Sequence, residues 1–210
     1  MDEAEVDLVI KKIRNAWKAC SKDYTQFKIN GESCLQSALY FHLRRNLNNN
    51  YTIFTEVHVG LPKENIKEKS YNRIDIFICK AANDSEPPQA IALVGIEIKY
   101  CPKGVPRPIG IHKDLHSLSY LRNARIRDKR IKILFKRHST QYKSPPTELK
   151  LHAHAKVLLG IFCKDDEKIM KSERTFWNHY RPAEGRWDSR NNLPLKLGVL
   201  VALASKNNTV

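Results

Sequence analysis

The sequence predicts a single α/β domain in which helices flank a mixed central β-sheet. Three observations lead to this fold class: two amphipathic helical patterns open the chain, three β-rich runs follow, and helical and strand patterns alternate over the remainder. At 210 residues the chain is long enough to bury one sizeable core. The predicted order, αα-βββ-α-β-α-β, is typical of a sheet covered by helices in one compact layered architecture.

The first two elements are predicted as helices over residues 4–20 and 32–47. Apolar residues recur there at helical spacing. These residues are Val6, Val9, Ile10, Ile13 and Trp17 in the first helix and Leu35, Ala38, Leu39 and Leu43 in the second. Asn30 is the expected N-cap of the second helix, with Glu32 in its first turn.

Three strands are predicted next, over residues 51–59, 73–79 and 91–100. The third run is apolar almost throughout, which is typical of a central strand covered on both faces. Beyond it, the patterns predict a helix over 111–125, a densely basic segment over 122–137, a strand over 149–163, a helix over 165–180 and a strand over 195–204.

The composition favours a nucleic-acid partner in a reducing, aqueous compartment. Lys and Arg outnumber Asp and Glu by 37 to 22, giving a formal charge of +15 that suits a polyanion. The five cysteines are scattered singly, which argues against a disulfide framework or a Cys-ligated zinc site. An acidic N-terminus and the lack of a long apolar run argue against a secretory signal and a membrane span, so a cytoplasmic location is expected.

Charged residues interrupt two of the apolar strands. Side chains alternate along a strand, so Asp75 shares a face with Phe77, and Glu97 shares a face with Lys99. Burying such charges unpaired would cost several kcal/mol, so the site must supply paired charges, water or a metal. If the strands are neighbours, Asp75 and Glu97 can bind Mg²⁺, and the Lys99 ammonium can orient water and stabilise charge during phosphodiester hydrolysis.

The segments Arg73-Ile74-Asp75 and Gly95-Ile96-Glu97-Ile98-Lys99 resemble the motif of the PD-(D/E)XK nucleases. Ile74 stands where the motif nominally has proline. The resemblance covers roughly residues 30–165 and implies a restriction-endonuclease-like αβββαβ core. It also implies Mg²⁺, replaceable by Mn²⁺, held by Asp75, Glu97, the Ile98 backbone carbonyl and Glu32. The catalytic set it implies is Asp75, Glu97, Lys99 and Glu32.

The resemblance also sets the expected organisation and activity. Residues 1–30 are expected to be a helical extension, 31–165 the catalytic core, and 166–210 a C-terminal helix and strand of the same single domain. The implied activity is that of a DNA endonuclease of the restriction or phage-defence type. Double-strand cutting would most simply use a homodimer, and a motor or other partner subunit stays open.

Each site residue also has a structural interpretation. Asp75 and Glu97 could form ion pairs with Lys99 or Arg73, and the Lys99 ammonium could simply reach solvent at a strand end. Glu32 is favoured in a helix's first turn by the helix dipole. Glu56 on the first strand could join the metal site or pair with a basic neighbour, and the second role is favoured.

Backbone contacts to nucleic acid are expected from a separate set of residues. A solvated charged surface is the alternative for all of them. The set comprises Lys113, His116, Arg122, Arg125, Arg127, Lys129 and Arg130. His152 and His154 share a strand face, but a zinc site would need further ligands.

Other functions stay open at the sequence level. The same fold could bind nucleic acid without cutting it and recruit a partner enzyme, or it could belong to a junction-resolving or repair nuclease. A basic structural protein of a ribonucleoprotein is a further alternative. DNA is favoured over RNA only through the family resemblance.

Overall fold

The computed structural model describes residues 3–60, 72–82, 89–101, 125–127, 130, 148–163 and 196–203. The described elements are the helices α1 (Glu3–Thr25) and α2 (Glu32–Asn46) and the strands β1 (Tyr51–Gly60), β2 (Asn72–Ala82), β3 (Gln89–Cys101), β4 (Arg125–Arg127), β5 (Glu148–Cys163) and β6 (Lys196–Leu203). These elements form an α/β structure with a mixed sheet, as the sequence predicts.

The sheet combines antiparallel and parallel pairing. Strands β1, β2 and β3 form an antiparallel meander, β5 pairs in parallel with β3, and β6 pairs in parallel with β5. The short strand β4 pairs antiparallel with the end of β1 and with the beginning of β5. Strand β3 therefore lies between β2 and β5, which is the central position predicted from its apolar run.

The two helices pack on the sheet through their apolar stripes. The buried side chains of α1 and α2 form one cluster with side chains of β1, β2, β3 and β5. Trp17 of α1 lies directly over Gly160 of β5, where a Cβ would come within 2.7 Å of the indole ring. No helix within the described ranges is long and apolar enough to cross a membrane.

Most predicted elements within the described residues are confirmed, and two details are wrong. The N-cap of α2 is Gly31 rather than Asn30, and it makes no side-chain capping bond. Arg125 begins strand β4, whereas the sequence predicted it as the end of a helix, because pairing with β1 and β5 overrides the local helical pattern. The helices predicted over 111–124 and 165–180 lie outside the described residues.

Candidate active site

Strands β2 and β3 separate in the region that carries the sequence motif. Their ladder runs from Ala82 and Gln89 to Ile76 and Ile96 and ends there, although both strands continue. Beyond this point β2 stays paired with β1 and β3 stays paired with β5. We call this opening the fork. Asp75 lies at its β2 side, one residue beyond the last pair.

Carboxylates replace the missing ladder bonds along the β2-facing edge of β3. The Ile98 N–H donates to Asp75 Oδ2 at 2.6 Å, and the Tyr100 N–H donates to Glu32 Oε2 at 3.2 Å. The N–H and C=O of one strand residue point toward the same neighbouring strand. The Ile98 carbonyl therefore faces the fork beside two acidic side chains.

Asp75 and Glu97 come together at the fork. Glu97 is only 6% exposed, and its side chain is hydrogen-bonded to that of Asp75. Burial, aided by the negative charges of Glu32 and Glu56, raises the pKa of Asp75 to about 6, although the bonds from Ile98 and Glu97 oppose this rise. Two carboxyl groups in hydrogen-bond contact require a shared proton or a cation between them.

Sequence reasoning missed Gln36, which connects α2 to the fork. Gln36 Nε2 lies 2.9 Å from the main-chain oxygen of Asp75 and 2.9 Å from Glu56 Oε1. The signal for it is its spacing: Gln36 is four residues after Glu32, so both occupy one face of the helix.

Glu56 has the structural role that the sequence analysis favoured and also borders the site. Its Oε2 atom lies 3.7 Å from Arg73 Nη1, so Glu56 forms an ion pair with this basic neighbour. The Glu56 backbone has φ of 52°, in the left-handed region that non-glycine residues rarely adopt. Its neighbours Thr55 and Val57 stay in register with β2, so the irregularity is confined to the residue opposite Asp75.

Lys99 lies two residues after Glu97 on β3, in register with Ile161 of β5. It is partly exposed, whereas Glu97 and Ile98 beside it are buried. The Lys99 side chain is therefore half-buried, on the same strand as Glu97 and two residues beyond it.

The donor set suits a hard divalent cation that keeps water in its coordination shell. Among the described residues, no group of three or more His, Cys, Asp and Glu side chains could hold a metal ion by itself. Mg²⁺ usually takes only one or two carboxylates and completes its shell with water and substrate phosphate. Asp75 and Glu97 supply two carboxylates, and the Ile98 carbonyl and Glu32 border them.

The predicted nucleic-acid contacts are only partly described. Lys113, His116, Arg122 and Lys129 lie outside the described residues, and for Arg125 and Arg127 the description covers the backbone of β4 only. Arg130 Nη2 donates to the Thr55 carbonyl oxygen at 2.6 Å, and its guanidinium lies 5.6 Å from the centroid of the Phe54 ring. This arginine therefore ties its segment to β1, and its contact with nucleic acid stays a prediction.

The histidine pair on β5 is present as expected from strand alternation. The rings of His152 and His154 have centroids 5.6 Å apart, and the His154 N–H donates to His152 Nδ1.

Comparison of the chain with protein-family models, with curated proteins and with solved structures gave no match.

Proposed function

We propose that the protein is a Mg²⁺-dependent nuclease of the PD-(D/E)XK type that hydrolyses phosphodiester bonds, with DNA as its substrate. The contact between the Asp75 and Glu97 carboxyl groups at the fork, next to Lys99, is the observation that carries this proposal. A fold gains nothing from placing two acids together in a poorly solvated opening, whereas a cation site requires it.

The topology supports the same proposal. In chain order, α2 is followed by the antiparallel meander β1, β2 and β3, by the short strand β4 and by β5, which is parallel to β3. The helix, the meander and the parallel strand are parts that the αβββαβ core implied by the resemblance also has, whereas β4 is an addition and the helix expected between β3 and β5 lies outside the described residues. The acidic residues lie on the second and third strands of the meander, as the motif requires.

Each residue of the site has a distinct role in the proposal. Asp75, Glu97 and the Ile98 carbonyl would hold the metal, and Glu32 would assist. A bound Mg²⁺ supplies positive charge at the phosphate and a hydroxide-like water at neutral pH. The Lys99 ammonium orients the attacking water and stabilises the charge that develops on the phosphate. Gln36 fixes the main chain at Asp75.

Cleavage assays on plasmid, linear, branched and single-stranded DNA with Mg²⁺ or Mn²⁺ test the proposal. We expect Asp75→Asn, Glu97→Gln and Lys99→Ala each to lower the single-turnover rate by about 100-fold or more. DNA binding should persist in all three variants, because the basic residues expected to contact the nucleic-acid backbone are unchanged. The preferred substrate would distinguish restriction from junction resolution and repair.

Matched substitutions outside the fork serve as controls. Asp7→Asn removes a carboxylate that is 59% exposed on α1, and Lys150→Ala removes an exposed lysine on β5. Both should retain the wild-type rate. Tight, salt-dependent binding without cleavage of any substrate would contradict the nuclease and would favour the non-cleaving module.

A further inference from the structure

Helix α2 carries two adjacent rows of residues at i, i+4 spacing, and both rows have the same order of side-chain types. The first row is Glu32, Gln36, Tyr40 and Arg44, and the second is Ser33, Ser37, Phe41 and Arg45. In each row two small or polar residues precede an aromatic ring and then an arginine. The first row begins at the fork, because Glu32 and Gln36 bind the main chain of β3 and β2.

The aromatic rings of these rows are open to solvent. Phe41 is 55% exposed and Tyr40 is 38% exposed. The Arg45 guanidinium lies over the Phe41 ring at 5.6 Å from its centroid. Aromatic rings and arginine planes together are the groups on which proteins stack unpaired bases, and the arginine charge also attracts phosphates.

Phe27, in the loop between α1 and α2, is a third exposed aromatic residue. Its ring is 95% exposed and its backbone has φ of 59°. The bonds from Phe27 N to Tyr24 O and from Lys28 N to Asp23 O place it at the left-handed position that ends a helix, where glycine is usual. A phenylalanine there costs free energy in its backbone and in its exposed ring, so folding does not favour it.

Phe27 and the two rows flank the fork along the chain. Phe27 lies two residues before Ile29, whose carbonyl accepts a hydrogen bond from the Tyr100 hydroxyl next to the fork. Tyr40 and Phe41 lie about 6 to 8 Å beyond Gln36 along the helix axis, from the helical rise. In the sequence, exposed aromatic residues therefore lie both before and after Glu32 and Gln36, the α2 residues that line the site.

We propose that Phe27, Tyr40 and Phe41 stack on unpaired bases, so that the substrate carries a single-stranded segment beside the cleaved bond. The inference rests on the proposed function, because it assigns the substrate class of the same site. Bases within a duplex are already stacked on one another and cannot use these rings. The net charge of +15 and Arg45 complement the phosphates of such a strand, and the neighbouring Arg44 also donates from Nη1 to the Tyr51 carbonyl oxygen at 3.2 Å.

Binding measured in EDTA separates this inference from cleavage. We expect Phe27→Leu and Phe41→Leu each to weaken binding of a short single-stranded DNA by about five-fold or more, since one base–aromatic stack is lost. Affinity for duplex DNA of the same length should not change, because neither variant alters charge. A 2-aminopurine base in the single strand reports stacking directly by its fluorescence. Leu8→Ser, at an exposed apolar residue of α1, is the matched control.

Phe27→Gly provides a variant whose folding is not in question. Glycine relieves the left-handed backbone, so this variant should melt at a higher temperature and still bind the single strand more weakly. Unchanged single-strand affinity in Phe27→Gly and Phe41→Leu would overturn the inference. If the protein cleaves duplex plasmid but the two variants have unchanged single-strand affinity, the proposed nuclease function is kept and the base-stacking inference is rejected. Stacking-dependent binding without any cleavage would retain the binding surface and reject the nuclease.

Discussion

At the residue scale, burial in the fold opposes the ionisation of Asp75. Its pKa is raised from 3.8 to about 6, first by burial and then by the charges of Glu32 and Glu56. The folded protein therefore holds this proton at pH values where the unfolded chain has released it. Stability is lost as the pH rises from about 4 to about 6, and the full cost applies above that range.

We predict that Asp75→Asn removes this cost and so changes the pH dependence of stability. The shift of about two pKa units corresponds to roughly 3 kcal/mol. The free energy of unfolding of Asp75→Asn, relative to wild type, should rise by about that amount between pH 4 and pH 7. Urea titrations of Asp75→Asn and wild type at several pH values measure it. If the free energies of unfolding of Asp75→Asn and wild type differ by the same amount at pH 4 and at pH 7, the raised pKa does not belong to Asp75.

The packing of α1 on β5 requires a glycine at position 160. Its position under Trp17 leaves a Cβ only 2.7 Å from the indole ring, and Trp17 is 3% exposed, so the ring has little room to move. We predict that Gly160→Ala lowers the free energy of unfolding by about 1 to 3 kcal/mol. Urea denaturation measures the loss.

Gly31 provides the control for Gly160. Nothing lies within 4 Å of a Cβ at Gly31, and its φ of −168° is extended backbone that any residue adopts. Gly31→Ser should leave stability unchanged or slightly higher, because serine is a favoured N-cap residue. An equal loss in both variants would mean that Trp17 is not the cause.

At the scale of elements, α2 is both a core helix and one wall of the site. Leu35, Leu39 and Leu43 bury one stripe of the helix, while Glu32 and Gln36 on the neighbouring stripe bind the fork. A core-anchored helix holds polar groups more precisely than a loop would. The position of the carboxylates therefore depends on how α2 packs.

We predict that Gln36→Met, which keeps the side-chain length but removes the amide, lowers the single-turnover cleavage rate by about 10-fold to 100-fold. The reason is that Asp75 loses the bond to its main-chain oxygen and can shift within the fork. DNA affinity should stay at the wild-type value, which marks Gln36 as a positioning residue. The neighbouring exposed Ser37→Ala is the control, and a rate equal to wild type in both variants would contradict the role.

At the scale of the whole molecule, the positive charge governs binding to any polyanion. With a formal charge of +15, we predict that the affinity for duplex DNA in EDTA falls by about 100-fold or more between 50 and 200 mM salt. Fluorescence anisotropy at several salt concentrations measures the slope. An uncharged peptide nucleic acid duplex of the same sequence should not bind. A flat salt dependence would exclude phosphate contacts as the main source of affinity.

The sequence alone determined the two helices, every described strand except β4, and the positions of Asp75, Glu97, Lys99 and Glu32 on them. The helical spacing of apolar residues and the alternation of side chains along a strand are local properties, so they can be recognised in the sequence without knowledge of the fold. Arg125, predicted as the last residue of a helix, lies in β4 instead, because pairing between distant strands decides its conformation.

Only the tertiary structure decided what meets at the site. The end of the β2–β3 ladder opens the fork, and the packing of α2 brings Gln36 to Asp75. The exposed rings of Phe27 and Phe41 likewise become visible only when burial is known, because apolar residues in a sequence are ordinarily assigned to the core. Register and packing join residues that are distant in the chain, and local patterns carry no record of that pairing.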